Sequence, residues 1–290
     1  MSASKNRQLP LLDRVVWITG ASSGIGEALS YRCSELGAKL ILTARREEAL
    51  QRVNDRLPRL PGTACVLPQD LERLAELPQL TERALTCFGR IDVFISNAGL
   101  AVKDYAVDTR LDIDQKLMNV NYFAPTVLTK HLLPHFLERG AGQIAVVSSL
   151  SGKYGVPRIA AYAASKHALH GFFETLRSEV HDRGVDITII VPGIIRTEIT
   201  AHAVTGTGES FGRVEKTFRA GYPVDKAARD IVRAILARKE EVFVGGTERI
   251  TLWLQRLSPW LLRRFIRNHP IKRLRRLKRR LSFWERSDPY

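Results

Sequence analysis

Residues 14–35 read RVVWITGASSGIGEALSYRCSE. The first six form a short β-branched run, the composition of a strand buried on both faces of a parallel sheet. Gly20, Gly24 and Gly26 follow in G-x-x-x-G-x-G spacing, and the rest takes the composition of a helix. Strand, glycine turn and helix open a βαβ unit. Each glycine has a physical use there: a tight turn, close approach of backbone to a pyrophosphate, and close packing of helix on strand. Backbone amides at the helix start, around Ser22, Ser23 and Ile25, would receive the phosphates. A glycine trio is also ordinary loop punctuation, so the rest of the chain must decide.

Downstream, the same alternation repeats. KLILT (39–43) is a second strand followed by a helix from about residue 46, and ACVLPQD (64–70) is a third. Residues 72–88 read as a helix interrupted near Pro78, RIDVFIS (90–96) as a fourth strand, and 110–138 as one long helix. GQIAVVSS (142–149) and VDITIIVPG (185–193) are strands five and six, separated by a helix over 157–182. The stretch 194–222, rich in Gly and Thr, reads as a mobile loop or lid. Helix 224–239 and EVFVGG (241–246) complete the pattern. Seven strands alternating with helices predict an α/β fold: a three-layer, Rossmann-type doubly wound parallel sheet over 1–249, with a basic helical tail over 250–290.

In a dinucleotide fold the second strand ends at an acid that binds the ribose hydroxyl. Here the end is Ala44-Arg45-Arg46, with no acid. An arginine fork at that place holds a 2′-phosphate bidentately, which favours NADP(H) over NAD(H). The bland alternative is two solvated helix-start residues. Asp70 ends the third strand as an adenine or helix-cap contact. Asn97, Ala98 and Gly99 end the fourth, at the edge where open α/β sheets take ligands.

SSLSGKYGVPRIAAYAASK (148–166) carries the chemistry. Tyr162 and Lys166 are i and i+4 on a helix and share a face. A free phenol has a pKa of about 10. A neighbouring ammonium favours the phenolate, so the pair predicts a phenol lowered toward neutrality and usable as a proton donor or acceptor. A Tyr-x-x-x-Lys pair alone is common on helices. Ser149, thirteen residues upstream, supplies a second hydroxyl.

Taken in order, TGASSGIG (19–26), NAG (97–99), Asn121 in NVNYFAP, Ser149, YAASK (162–166) and PGIIRT (192–197) resemble the short-chain dehydrogenase/reductase family over residues 12–246. The resemblance implies sheet order 3-2-1-4-5-6-7 and nicotinamide-dependent chemistry at a carbonyl or alcohol carbon. It implies Tyr162 as general acid/base, Lys166 as the cation that lowers its pKa and holds the nicotinamide ribose, and Ser149 as a hydrogen-bond partner of the substrate oxygen. Asn121 would position a water linking Lys166 to solvent, and Pro192, Gly193, Ile195 and Thr197 would line the nicotinamide. It also implies homo-oligomers. NVNYFAPTVLTKHLLPHF and the Ser149–Lys166 stretch are most similar to members acting on steroids, retinoids and other lipophilic ketones. The expected substrate is therefore small and hydrophobic; a catalytically idle NADP-binding regulator or scaffold is the alternative.

Composition bounds the rest. An apolar fraction of 44% over 290 residues supports a large core. Cys33, Cys65 and Cys87 are too few and scattered for a disulfide framework or zinc site, and read as buried thiols in a reducing compartment. No metal set is visible. MSASKNRQLP lacks the apolar run of a secretory signal, and no ordinary membrane span occurs, so the expected location is cytoplasmic. The formal charge of +15 concentrates in 250–290, where twelve Lys/Arg face two Asp/Glu, a net +10. Ile271, Leu274, Leu277 and Leu281 recur at helical spacing among the basic residues, with Trp253, Trp260, Phe265, Phe283 and Trp284 as interfacial candidates. Peripheral docking on an anionic membrane surface fits this tail best. A subunit contact or plain solvation competes, and nucleic-acid binding fits least because no recognised module accompanies the charge.

Overall fold

The computed structural model of the chain describes residues 9–58 and 64–267. Seven parallel strands run in the order β3-β2-β1-β4-β5-β6-β7: β1 Val15–Thr19, β2 Lys39–Ala44, β3 Ala64–Pro68, β4 Val93–Ser96, β5 Gly142–Val147, β6 Val185–Pro192 and β7 Glu241–Val244. The order reverses between β1 and β4, so their outgoing loops diverge and open a crevice at the carboxyl edge of the sheet.

Alternation along the strands builds two cores. Val16, Ile18, Leu40, Leu42, Ile95 and Val147 face one side, under α1 (Gly24–Glu35), α2 (Glu47–Asp55) and α8 (Val224–Leu236). Trp17, Ile41, Phe94, Ile144, Val146 and Ile189 face the other, under α3 (Leu77–Phe88), α5 (Ala124–Arg139) and α6 (Ala160–Val180). Trp17 is wholly buried, stacks against Phe94 at 4.8 Å and satisfies its indole N–H on Thr43 Oγ1 at 2.9 Å. The three-layer α/β architecture predicted from the sequence is present, in the implied strand order.

Several local expectations are corrected. Pro78 does not interrupt a helix: it lies in the first turn of α3, where its missing N–H costs nothing, after a 3-10 turn at Leu74–Glu76. The 110–138 helix is split into α4 (Leu111–Met118) and α5 by a π-helical turn, Asn119–Phe123, that carries Asn121. α6 starts at Ala160, three residues later than expected. The 194–222 stretch contains α7 (Lys216–Arg219), and Val204 bridges both Val102 and Ser210. Cys65 and Cys87 are joined in a disulfide, because the reversal after β3 brings α3 back over that strand and leaves their Cα atoms 6.3 Å apart. Cys33 stays free and buried, and burial pushes its thiol up to about 12. Two more helices, α9 (Arg249–Leu257) and α10 (Pro259–Arg267), follow β7. The amphipathic run at Ile271–Leu281, and Phe283 and Trp284, lie outside the described residues.

Two glycines separate packing from propensity. A β-carbon at Gly26 would lie 2.1 Å from the Gly20 carbonyl oxygen, whereas one at Gly171, on the exposed side of α6, would meet nothing within 4 Å. Gly26→Ala is expected to destabilise the fold by about 1–3 kcal/mol, the usual cost of overpacking. Gly171→Ala is expected to stabilise it by about 0.5–1 kcal/mol through lost unfolded-state entropy. Urea unfolding of the two variants measures both.

Candidate active site

The crevice is held open by a polar clamp between β1 and β4. Thr19 Oγ1 accepts from the backbone amides of Asn97 (3.1 Å) and Ala98 (3.2 Å). The Asn97 side-chain amide donates back to the carbonyls of Thr19 (3.0 Å) and Gly20 (3.3 Å). Gly20 and Gly24 take positive φ, +66° and +59°, which side chains resist. A β-carbon on Gly26 would also lie 2.5 Å from Asn97 Nδ2, so α1 can approach β4 only through a bare backbone. Ser23 caps α1 from an extended backbone, and its hydroxyl makes no capping bond. Ser22, Ser23 and Ile25 therefore lie together with the three glycines around the α1 N-terminus, a ready place for anionic oxygens.

Across the crevice the second wall comes from β6. Gly193 N–H donates to the Val244 carbonyl at 2.8 Å, just beyond Pro192, and Ile195 pairs with Tyr222. A β-carbon at Gly24 would lie 3.3 Å from Thr197 Cγ2, so the glycine turn and the Ile195–Thr197 loop face one another. Arg45 and Arg46 are exposed where β2 passes into α2, and neither makes an ion pair among the described residues. Asp70 Oδ1 accepts from Glu72 N at 3.1 Å, so its carboxylate caps the turn after β3.

The remaining candidates converge at the end of β5. Ser149 caps a 3-10 turn at Leu150–Gly152, its Oγ accepting from Ser151 N at 3.1 Å. Tyr162 sits in the first turn of α6, and Lys166 follows one turn later. The Lys166 side chain is 3% exposed, yet its ammonium has one hydrogen bond among the described residues, to the Val147 carbonyl at 2.9 Å. Burial lowers its pKa from 10.5 to about 8. Asn121 is buried on the π turn and clamps Leu100: its Oδ1 accepts from Leu100 N (2.7 Å), and its Nδ2 donates to Leu100 O (2.9 Å) and Ser165 Oγ (3.0 Å). Gly99 keeps the space between them free, since a β-carbon there would lie 3.4 Å from Asn121 Oδ1 and 3.6 Å from Lys166 Nζ.

One electrostatic expectation is corrected. Burial raises the Tyr162 phenol above its ordinary value, and a hydrogen bond with Ser149 opposes the rise. Lys166 is not the cause of a lowered phenol here. Its Nζ is 5.8 Å from the tyrosine ring centroid and is directed at Val147. Tyr162 is only partly buried by surface exposure, as a group that must meet a substrate has to be. In this arrangement the phenol stays protonated near neutrality.

Sequence reasoning missed a second polar cluster behind the first. Ser148 Oγ lies 2.9 Å from His170 Nε2, and His170 Nδ1 faces Glu174 (3.4 Å) and Glu241 (3.8 Å). Lys153 Nζ sits 2.6 Å from Glu241 and 3.9 Å from Glu174, supplying the counter-charge to both. Burial, and then Lys153, push the His170 pKa down. A β-carbon on Gly152 would lie 2.6 Å from Ser148 Oγ, so that hydroxyl has no room for a substrate. The cluster braces the segment carrying Ser149 against α6. Its only trace in the sequence is the spacing Lys166, His170, Glu174, which puts all three on one helical stripe. Glu248, also missed, accepts from Ile194 N at 2.9 Å and anchors the second crevice wall.

Comparison with known proteins agrees with this geometry. Residues 14–207 match the family described as short chain dehydrogenase. The chain is 40% identical over 261 residues to a fruit-fly (Drosophila melanogaster) protein named dehydrogenase/reductase SDR family protein 7-like, covering 88% of this chain and 79% of that one. Among solved structures it resembles a metagenomic short-chain oxidoreductase in complex with NADP, at 28% identity, TM-score 0.66 and coverage of 81% and 98% of the two chains. It also shares the fold of a short-chain dehydrogenase/reductase from Burkholderia phymatum in complex with NAD, at 24% identity, TM-score 0.78 and coverage of 87% and 96%. A glycine-lined crevice beside a Ser-Tyr-Lys constellation accompanies these matches to dehydrogenases and reductases. This chain belongs to the short-chain dehydrogenase/reductase family.

The buried ammonium carries a stability cost with a definite sign. Lys166 titrates at about 8 when folded and near 10.5 when exposed, so between those values the unfolded chain binds more protons. Stability contributed at this site therefore rises as pH climbs from 8 toward 10.5, and the penalty is fully present below 8. Lys166→Met is expected to stabilise the protein at pH 7 by on the order of 2 kcal/mol, with the advantage shrinking above pH 8. Thermal melts of both proteins from pH 6 to 10 check the sign.

Proposed function

We propose that the protein is an NADP(H)-dependent oxidoreductase that interconverts a carbonyl and an alcohol on a hydrophobic substrate of steroid, retinoid or acyl type. The observation that carries this reading is the convergence of Ser149, Tyr162 and Lys166 at the crevice mouth, with the phenol held protonated. When bound, the nicotinamide supplies the hydride. As negative charge develops on the substrate oxygen, the hydroxyls of Ser149 and Tyr162 stabilise it, and Tyr162 gives up its proton. The Lys166 ammonium, close by in a dry site, offsets the phenolate left behind. Asn121 holds the Leu100 backbone and the π turn in place, and so orients the polar route toward Lys166.

Two further features support the details. The Arg45–Arg46 pair, which makes no ion pair among the described residues and has no acid at the end of β2, suits a ribose 2′-phosphate. Val102, Ile113, Leu117 and Ala161 form a small buried apolar cluster with Leu100, Tyr162 and Val204 packed against it, so the tyrosine of the site sits against apolar side chains, which is compatible with a lipophilic substrate. A catalytically idle scaffold would have no need of this constellation.

Tyr162→Phe is expected to lower turnover by about 10²–10⁴-fold, the usual contribution of a general acid. NADPH affinity, read by quenching of protein fluorescence, should stay nearly unchanged, because only the transferring hydroxyl is removed. Near-normal turnover on a panel of ketones would reject the assignment. Cofactor preference gives a separate check: Ala44→Asp combined with Arg45→Ser should move kcat/KM toward NADH. A wild-type enzyme using NADH and NADPH equally would make the arginines mere surface charge.

A further inference from the structure

The helices after β7 are built the wrong way round for simple packing. A surface helix turns its apolar stripe inward. Here Leu252 and Leu262 already face inward, yet Ile250, Trp253, Leu257, Trp260, Leu261 and Phe265 remain open to solvent, with Leu257 78% and Trp260 66% exposed. These six are half of the twelve exposed large hydrophobic residues among the described ones, drawn from two nine-residue helices. Ile250, Trp253 and Leu257 are spaced three and four apart on α9, and so share a face. Exposed apolar side chains gathered on two successive helices in this way mark an interaction site.

Charge selects the partner. Residues 249–267 contain five arginines and no acid. Arg264 lies over the Trp260 ring at 5.8 Å, and Arg249 over Phe243 at 5.4 Å, so cations and aromatic rings are interleaved. A second copy of this chain, itself formally +15, is a poor electrostatic match. No helix among the described residues is long and apolar enough to cross a membrane. Exposed tryptophan, leucine and phenylalanine ringed by arginine instead match the boundary between lipid headgroups and acyl chains.

We propose that the α9–α10 face docks flat on an anionic lipid surface. The inner side of α9 fixes that face relative to the active site. Thr251 Oγ1 pairs with Tyr154 Oη at 2.8 Å, and Gln255 donates to the Lys153 carbonyl. Lys153 and Tyr154 continue directly from the Ser149 turn, and Glu248, one residue before α9, holds Ile194. Docking therefore places lipid beside both loops that border the crevice. Docking itself does not depend on the proposed chemistry; the benefit to a lipophilic substrate rests on that reading.

The test uses the full chain and vesicles of phosphatidylcholine, with or without phosphatidylserine. Wild type is expected to sediment with the anionic vesicles and at least tenfold less with neutral ones, and brominated lipid is expected to quench its tryptophan emission. Trp253→Ser with Trp260→Ser should reduce binding about tenfold or more, leaving the melting temperature and NADPH consumption with a water-soluble ketone unchanged. The conservative pair Trp253→Phe and Trp260→Phe keeps the apolar face; it should retain binding while losing most of the quenching, which keeps the test valid if the serine variant misfolds. Absence of vesicle binding overturns the proposal. So does binding or quenching that survives both double variants, which would place the contact elsewhere, outside the described residues included. A wild-type dimer in ultracentrifugation that the serine variant splits would make the face a subunit contact and also overturn it. If docking holds but no ketone is turned over, the docking stands and only the proposed chemistry falls.

Discussion

The arrangement of the site turns on one buried ammonium. Lys166 is almost fully removed from water, and the described structure offers it a single carbonyl, that of Val147. An isolated buried cation is costly, and a fold retains it only where the charge is used. Its neighbours are those that keep this charge accessible to chemistry while dry: Gly99 without a side chain, Asn121 turned toward Leu100, and Tyr162 one turn earlier on the same helix face. The same burial that lowers Lys166 to about 8 raises the Tyr162 phenol. The two values, close together in water, are thus driven apart, so that near neutrality the site holds a protonated phenol beside a buried ammonium.

The second constraint is geometric. The crevice exists because the strand order reverses between β1 and β4, and Asn97 and Thr19 tie those two strand ends together with four hydrogen bonds. That clamp fixes the glycine turn, while Val244 and Glu248 hold the backbone amides of Gly193 and Ile194, which lead into the Ile195–Thr197 wall. A ligand entering between them meets backbone amides and glycines on one side and a threonine on the other.

Much of this was legible in the sequence. Strand alternation and the glycine spacing produced the sheet, and Tyr162 and Lys166 share a helix face by arithmetic alone. The failures share a cause: they depend on contacts between elements. The π turn at Asn119–Phe123 has no composition of its own and is visible only as Asn121 reaching Leu100. The Cys65–Cys87 pair required knowing that α3 folds back over β3. The direction of the Tyr162 shift required knowing that Lys166 points at Val147, since proximity in sequence gives a lowered phenol and burial gives the opposite. Ser148, His170 and Glu241 come from three separate elements, and no linear pattern joins them.

The most direct measurement of the central claim is a pH titration of the lysine side-chain nitrogens by NMR in the full chain, with the Lys166 resonance assigned by its absence from the Lys166→Met spectrum. With Lys166 buried as described, its ammonium is expected to titrate near pH 8. A Lys166 resonance that titrates near its ordinary value of 10.5 would mean that the ammonium is solvated and that the site is not organised around a buried charge.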